Sequence, residues 1–231
     1  MSEIKRQQLG ALAERRRKTE LATHFGQPNT GYRHIGDFQN GVFDCCHVSP
    51  WSISACNLDS PIMIVGQDWS SAEHLEKVPP NPHIIECGYD PGFPTNINLD
   101  RLFNEHFETR RADFYLTNVF PFVKPGRATR RIPMAHLARC ATDFLLPQID
   151  IVAPRAVICL GLRTFNALMR ALHQPGAHRL ASAIERPPYA QYGALIFAAA
   201  HTGSLGTKNR GVEQVDEDWK QIKLTVSTLP A

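Results

Sequence analysis

Asp68, Asn118 and His201 are the residues of this sequence whose types and positions best suit chemistry on a bound ligand. Each comes at or just after the end of a short apolar run that is typical of a buried strand. A carboxylate in that place is a candidate base. Because ligands bind at the carboxyl ends of parallel strands, the three side chains would converge on one cleft. Taken singly, each has an ordinary alternative as a helix cap, a turn residue or a surface residue.

The elements that would position these residues alternate along the chain. The predicted strands are 62–65, 112–119, 156–160 and 194–200. The predicted helices are 3–25, 72–78, 98–107, 132–152, 162–173 and 212–224. Four apolar strands that alternate with helices predict an α/β fold, with a parallel sheet between two helical layers.

The remaining segments contain many Gly, Pro and charged residues and are predicted to be irregular. These segments are 27–36, 38–60, 79–94, 120–133, 174–192 and 202–211. The first helix carries a basic run at 15–18, which is either a solvated face or a phosphate contact. We divide the chain into a basic N-terminal helix and loop at 1–36 and one α/β domain at 37–231.

The bulk composition fits a packed intracellular protein. The chain has 231 residues, of which 43% are hydrophobic and 20% charged, with a formal net charge of +3. It lacks an apolar run of the ~20 residues that a membrane span needs, and its N-terminus lacks an apolar signal core. We therefore expect a cytoplasmic protein that does not bind membranes. The six cysteines form no CxxC pair, so their spacing does not indicate zinc.

Four segments resemble the uracil-DNA glycosylase superfamily. VGQDWS (65–70) is similar to the first motif of that superfamily, which reads GQDPYH in the cluster-free enzymes. YLTNVFPF (115–122) is similar to the strand-end segment ITNVVKC of the iron–sulfur group, and HTGSL (201–205) matches HPSPL of the second motif. LARCATDFLLPQIDIVAPRAVICLG (137–161) resembles the helix–strand segment of the iron–sulfur group. The resemblance covers about residues 60–220.

This resemblance implies a three-layer α/β/α fold with a central four-stranded parallel sheet. It also implies hydrolysis of the bond between a deaminated base, such as uracil, and deoxyribose in DNA. The target base would have to leave the duplex stack to reach the pocket. We expect the partner to be DNA that contains a damaged or deaminated base, and the protein to be a monomer.

The resemblance further implies a role for each site residue. Asp68 would orient or deprotonate the attacking water, and His201 would donate a hydrogen bond to an oxygen of the leaving base. Leu205 lies where the family inserts an apolar wedge into the duplex. The predicted base-binding residues are Gly66, Gln67, Phe93 and Asn118. The predicted DNA-binding residues are Ser204, Leu205, Lys208 and Arg210.

The chain departs from the family motifs at several positions. Trp69 and Ser70 replace the Pro-Tyr of GQDPYH, and that Tyr is the residue that blocks the methyl group of thymine. Thr202 and Gly203 replace the Pro-Ser of the second motif, which predicts a more flexible phosphate-binding loop. These changes leave open two alternatives: a non-catalytic member that binds DNA or a protein, and a glycosylase for hypoxanthine, xanthine or thymine.

The cysteines give little support for an iron–sulfur cluster. Phe122 stands near the position of one cluster cysteine of the iron–sulfur group, and only Cys140 matches a ligand. Cys45, Cys46 and Cys56 lie near the right region but lack its spacing. We therefore expect neither a metal nor another cofactor.

Overall fold

The computed structural model describes residues 2–79 and 81–229, and it contains a five-stranded sheet. The strand order is β2-β1-β3-β5-β4, and the first four of these strands are parallel neighbours. The strands are β1 (Ile62–Asp68), β2 (Tyr115–Phe120), β3 (Ala156–Leu160), β4 (Tyr189–Gln191) and β5 (Ala194–Ala199). The prediction of four strands is therefore wrong in number, although the four predicted strands are present and parallel.

The fifth strand, β4, pairs antiparallel with β5 at one edge of the sheet. Tyr192 and Gly193 join the two strands and have φ values of 52° and 73°. Positive φ at both central residues is typical of a two-residue hairpin turn whose twist matches that of the strands. Because Tyr is an uncommon first residue in such a turn, the sequence signal was weak and we predicted this segment to be irregular.

Helices cover both faces of the sheet. They are α1 (Ser2–Lys18), α2 (Leu21–Phe25), α3 (Ala72–Lys77), α4 (Pro82–Cys87), α5 (Pro94–Leu102), α6 (Met134–Cys140), α7 (Leu146–Val152), α8 (Leu162–Ala171), α9 (Leu180–Glu185), α10 (Ser204–Arg210) and α11 (Val212–Ser227). Short π-helical turns continue α5 over Phe103–Phe107 and join α6 to α7 over Ala141–Leu145. Among the described residues, none of these helices has the length and apolarity needed to cross a membrane.

Alternate residues of each parallel strand enter two separate cores. In β1, Met63 and Val65 pack with helices α1, α6 and α8, whereas Ile62 and Ile64 pack with α5 and α11. Side chains on a strand point to opposite faces in turn, so a strand buried on both faces is apolar throughout. This double burial explains why the four parallel strands were recognisable in the sequence.

Three segments that we predicted to be irregular contain α-helices: 79–94 contains α4, 174–192 contains α9 and 202–211 contains α10. In α4, the Asn81 side chain accepts a hydrogen bond from the His83 N–H at 2.9 Å, and Gly88 ends the helix with φ of 77°. In α10, Gly203 precedes the first residue and Gly211 ends the helix with φ of 88°. Here the glycines mark helix ends rather than a continuous loop.

The N-terminal helix α1 contributes Leu9, Leu12 and Ala13 to the core beneath the sheet. Its basic run is engaged within the protein. The Arg16 side chain is fully buried and donates to the carbonyl of Cys45 at 3.1 Å, while Arg15 donates to a carbonyl of the π-helical turn before α7. We had interpreted this run either as a solvated face or as a phosphate contact. Neither interpretation holds for Arg16, because its side chain is buried.

Candidate active site

The carboxyl ends of β1, β2 and β5 meet around one pocket. The register pairs Gly66 with Asn118, and both residues line this pocket with Asp68 and His201. Its walls are mostly aromatic and aliphatic, and its aromatic residues are Phe43, Trp51, Trp69, Tyr89 and Phe93. We call this space the apolar pocket. It contains all six residues that the sequence analysis assigned to catalysis or base binding, and their individual roles stay predictions.

Gly66 allows two larger side chains to close over the floor of the apolar pocket. A Cβ atom at this position would lie 2.6 Å from Asn118 Nδ2 and 2.8 Å from the Trp51 ring. Such distances are below van der Waals contact, so any larger residue would displace one of them. The indole N–H of Trp51 donates to Asn96 Oδ1 at 3.1 Å, which fixes the ring.

The Asn118 side chain is held by a buried hydroxyl. Ser49 Oγ donates to Asn118 Oδ1 at 2.5 Å, and both residues are almost completely buried. The amide nitrogen lies over Gly66 at the pocket floor. Because a hydroxyl can donate or accept, Ser49 can hold the Asn118 amide with either end available to a ligand.

Both carboxylate oxygens of Asp68 have protein partners. Gln67 Nε2 donates to Oδ1 at 2.5 Å, and Lys124 Nζ donates to Oδ2 at 2.5 Å. Arg163 Nε in turn donates to Gln67 Oε1 at 3.1 Å, which orients the Gln67 amide nitrogen towards Asp68. This chain of hydrogen bonds fixes the carboxylate at the mouth of the apolar pocket.

Lys124 reaches Asp68 because the pairing of β1 with β2 continues past the strands. The Ala72 N–H donates to the Lys124 carbonyl at 2.9 Å, so the start of α3 lies beside the segment that follows β2. The Lys124 side chain is only 5% exposed. A buried ammonium requires a charged or polar partner, and the Asp68 carboxylate provides it.

His201 follows β5, and each nitrogen of its imidazole ring has a defined hydrogen-bonding role. Its Nδ1 accepts a hydrogen bond from the Gly203 N–H at 3.0 Å. Loss of hydration within the cleft lowers the pKa of His201, Lys124 lowers it further, and Asp68 opposes the change. The ring is therefore neutral near pH 7, and Nε2 carries its proton. A neutral imidazole in this tautomer presents one N–H donor to a ligand.

Two glycines allow the chain to fold tightly against His201. A Cβ atom at Gly203 would lie 2.9 Å from His201 Nδ1, and one at Gly206 would lie 2.0 Å from the His201 carbonyl oxygen. Helix α10 therefore rests directly on the backbone of His201. The buried Thr202, which we expected to loosen this segment, donates to the Thr95 carbonyl at 2.8 Å.

A second depression adjoins the apolar pocket on the other side of Asp68 and His201. Its lining includes Asp68, Phe93, Lys124, Arg163 and His201, together with the turn that opens α8. We call it the cationic groove. Asp68, Phe93 and His201 line both spaces. A covalent bond of a ligand that lies between these residues would therefore join one part of the ligand in the apolar pocket to another part in the cationic groove.

The comparison with known families identifies the superfamily of the chain. The model of the uracil DNA glycosylase superfamily matches residues 53–223, which is most of the chain and includes every strand of the sheet. The chain belongs to the uracil-DNA glycosylase superfamily. No curated protein matches it. Membership supports a function of the glycosylase type on DNA and agrees with the α/β architecture.

The DNA-binding residues predicted from the superfamily motif lie on α10, outside the apolar pocket. Leu205 is 72% exposed in the first turn of this helix, and Ser204 and Lys208 are also exposed. Arg210 has a partner within the protein, because its guanidinium donates twice to the Asp218 carboxylate at 2.8 Å. A phosphate contact by Arg210 would have to compete with this ion pair.

The residues present do not fit the iron–sulfur cluster of one branch of the superfamily. Phe122 is buried and packs edge-on against Phe144 with ring centroids 5.7 Å apart. Cys140 is buried, and burial raises the pKa of its thiol well above the ordinary value. Within residues 2–79 and 81–229, the His, Cys, Asp and Glu side chains that come together closely enough for a metal are Glu105, His106 and Asp216, and these include no cysteine.

The two departures from the superfamily motif after Asp68 have different structural roles. Trp69 donates its indole N–H to the Gly88 carbonyl at 2.8 Å and packs edge-on against Phe43. It therefore builds the wall of the apolar pocket. Ser70 also lines that pocket, with a smaller side chain than the tyrosine of the superfamily motif.

Sequence reasoning missed Lys124, Arg163, Ser49 and Trp51. We placed Lys124 in a general basic loop and gave Arg163 no role. Their contacts join segments that are far apart in the chain, such as Arg163 with Gln67. A usable signal was the position of Lys124 four residues after β2, at the same sheet edge as Asp68.

Proposed function

We propose that this protein is a DNA glycosylase that removes uracil or a related deaminated base. The observation that carries the proposal is the convergence of Asp68, Asn118 and a neutral His201 on one aromatic-walled pocket. A carboxylate, a carboxamide and a neutral imidazole donor can together support hydrolysis of an N-glycosidic bond. Superfamily membership supports the same reaction class.

The departing base would be stabilised by His201. As the bond between C1′ and the base nitrogen breaks, both electrons stay on the base, and its negative charge spreads to the carbonyl oxygens. The Nε2–H of His201 would donate to one of these oxygens, because Nδ1 already accepts from Gly203. A neutral donor aimed at developing charge lowers the barrier without a full proton transfer.

The sugar would be attacked by water that Asp68 holds. Loss of the base leaves positive charge on C1′ and the ring oxygen, and a nearby carboxylate offsets it. Water adds to C1′ from the face opposite the base, the new C1′–O bond forms, and the water proton passes to Asp68 or solvent. The base then takes up a proton, so the products are a free base and an abasic site.

Base recognition would rest on Asn118 and the ring of Phe93. The carboxamide of Asn118 provides both a donor and an acceptor, which matches the adjacent N–H and carbonyl of uracil. Phe93 is 43% exposed and lies beside His74 with ring centroids 5.3 Å apart, so its face is available for stacking. Leu205 would fill the space that the extruded base leaves in the duplex.

The test uses labelled oligonucleotides that each contain one uracil, hypoxanthine, xanthine or thymine, in single-stranded form and in duplexes in which the thymine lies opposite guanine. Abasic sites are cleaved with alkali and the fragments are resolved. We expect scission with uracil, and a fall of about 10²–10⁴-fold in rate for Asp68→Asn and His201→Ala. Full activity in both variants would overturn the mechanism.

Matched controls separate these effects from general damage to the protein. Asp59→Asn removes an exposed carboxylate before β1, and His178→Ala removes an exposed imidazole after α8. Both should keep wild-type rates. DNA binding without scission of any substrate would instead favour a non-catalytic member, and scission only with another base would reassign the substrate.

A further inference from the structure

The geometry of the two spaces fixes where a DNA backbone would lie if the proposed function holds. The apolar pocket takes the base, and the glycosidic bond lies between Asp68 and His201. The deoxyribose and its phosphates would then lie in the cationic groove, because that groove shares these two residues. The cations that line the groove beside Asp68 are Lys124 and Arg163, and Arg131 is close enough to Arg163 to lower its pKa further, in addition to the larger effect of burial.

Arg163 is held by two protein partners, whereas Lys124 is held by one. The Arg163 guanidinium donates to Gln67 and to the Ile132 carbonyl. Lys124 Nζ has three N–H donors, and in the part of the chain that the structure describes its one side-chain contact is with Asp68. Lys124 also lines a second basic recess with Arg130 and Arg131. Lys124 therefore borders the cationic groove on one side and this basic recess on the other.

The ion pair of Lys124 with Asp68 opposes the chemistry proposed for Asp68. A carboxylate stabilises a positive sugar through its negative charge, and an ammonium 2.5 Å away cancels much of that charge. The same ammonium donates to Asp68 Oδ2, and the Gln67 amide donates to Asp68 Oδ1. In the free protein, Asp68 is thus held in place but is electrostatically masked.

We propose that Lys124 is a positioning residue that couples binding of the DNA phosphate to release of Asp68. A phosphodiester of the extruded nucleotide enters the cationic groove and attracts the Lys124 ammonium. Lys124 then donates to the phosphate, and Asp68 Oδ2 becomes available to the attacking water. Gln67, held by Arg163, keeps the carboxylate in orientation during this exchange. The inference rests on the proposed glycosylase function.

This exchange needs little energy because it replaces one charge-assisted hydrogen bond by another. Ammonium–carboxylate and ammonium–phosphate contacts are of similar strength. The long Lys side chain moves its charge by rotation about single bonds, whereas the planar Arg fork is fixed by its two partners. The coupling would restrict catalysis to a nucleotide whose backbone is seated in the groove.

The test combines one protein change with one DNA change. Each phosphate within three nucleotides of a single uracil is replaced, in turn, by an uncharged methylphosphonate, and single-turnover rates at saturating protein are measured. For the wild type we expect one position at which this substitution lowers the rate by about tenfold or more. For Lys124→Met, we expect the same substitution to change the rate by less than twofold.

Lys220→Met is the matched control, because Lys220 is 62% exposed on α11 and pairs with Glu217. It should keep the wild-type response to every methylphosphonate. Lys124→Met should also reduce the slope of log binding constant against log salt by about one. Thermal unfolding and the Lys124→Arg variant, which keeps the charge, check that the protein stays folded.

The outcomes separate this inference from the proposed function. If Lys124 only orients Asp68, Lys124→Met will be slower on all substrates and the methylphosphonate penalty will equal that of the wild type, which overturns the coupling. If the wild type excises nothing from unmodified DNA, the proposed function fails. Binding of the same methylphosphonate series to wild type and Lys124→Met then decides whether the Lys124–phosphate contact exists.

Discussion

The apolar pocket and the cationic groove share Asp68, Phe93 and His201 but are built in opposite ways. The pocket is closed by rings and by neutral hydrogen-bonding groups, of which Asn118 on Ser49 is the most buried. The groove is lined by charged side chains that have fixed partners, with Lys124 on the Asp68 carboxylate and Arg163 on the neutral Gln67 amide. The apolar pocket suits a flat, uncharged ligand, and the cationic groove suits a ligand with repeated negative charges.

This difference indicates how one site can recognise a ligand through the pocket and hold that ligand in position through the groove. Neutral donors and acceptors in an apolar space discriminate between ligands through the cost of leaving a polar group unpaired. Charges in a groove attract any phosphate and carry no information about the base. Changes in the pocket should therefore alter base preference, and changes in the groove should alter salt dependence.

Among changes that leave Asp68 and His201 in place, the largest effect should come from Gly66→Ala. The added methyl group would overlap Asn118 Nδ2 and the Trp51 ring, so one of them must move. We expect excision to fall by about 100-fold, since a displacement of about 1 Å in a site has that effect. The free energy of unfolding should fall by about 1–3 kcal/mol. Rates and thermal unfolding measure both, and an unchanged rate would show that the pocket floor does not contact the base.

A second effect concerns pH. Because loss of hydration within the cleft lowers the pKa of His201 below the ordinary value of 6.5, the neutral donor persists to more acidic pH than in a free histidine. As pH falls through the lowered pKa, the protonated form predominates and the rate should drop about tenfold per pH unit. The acidic limb of the rate profile should disappear in His201→Gln. An identical limb in that variant would assign it to another group.

A smaller effect is expected from Arg163→Met. Loss of the guanidinium frees the Gln67 amide, which then no longer fixes Asp68 Oδ1. We expect kcat to fall by about tenfold with no change in base preference, because one charge-assisted hydrogen bond is lost. Arg170→Met on the exposed side of the same helix is the control. A change in preference between bases would contradict the separation of pocket and groove.

The smallest effect should come from Ser49→Ala. It removes the hydroxyl that holds Asn118 Oδ1 and costs about 0.5–1.5 kcal/mol, which corresponds to a rate loss of up to about tenfold. The Asn118 amide would then rotate more freely, so discrimination between uracil and hypoxanthine should weaken. Competition between the two substrates measures this ratio. A variant with lower rates on both and an unchanged ratio would show that Ser49 does not set specificity.

The sequence was informative where burial acts on consecutive residues. The four parallel strands are apolar on both faces, so their runs and the residues that follow them could be recognised. Asp68, Asn118 and His201 were found in this way. By contrast, β4 is three residues long, and α4 and α10 are bounded by the same glycines that suggested loops.

The groove was less accessible to sequence reasoning for a physical reason. An ion pair between Lys124 and Asp68 depends on the exact continuation of strand pairing beyond β1 and β2, which no local pattern records. Lys and Arg in a loop are usually solvated, so a buried lysine was not expected there. The basic run of α1 shows the same problem, because Arg16 is completely buried.

The contact of Gly206 with the carbonyl oxygen of His201 has a mechanical consequence. Leu205 precedes Gly206 in the first turn of α10, and Arg210 anchors the far end of this helix to Asp218 of α11. The C-terminal end of α10 is thus fixed by an ion pair, and its N-terminal end, with the exposed Leu205, packs against the backbone of His201. Under the proposed function, a base stack that pushes on Leu205 would press the neighbouring Gly206 against the His201 carbonyl, so insertion of Leu205 would be coupled to the position of the imidazole.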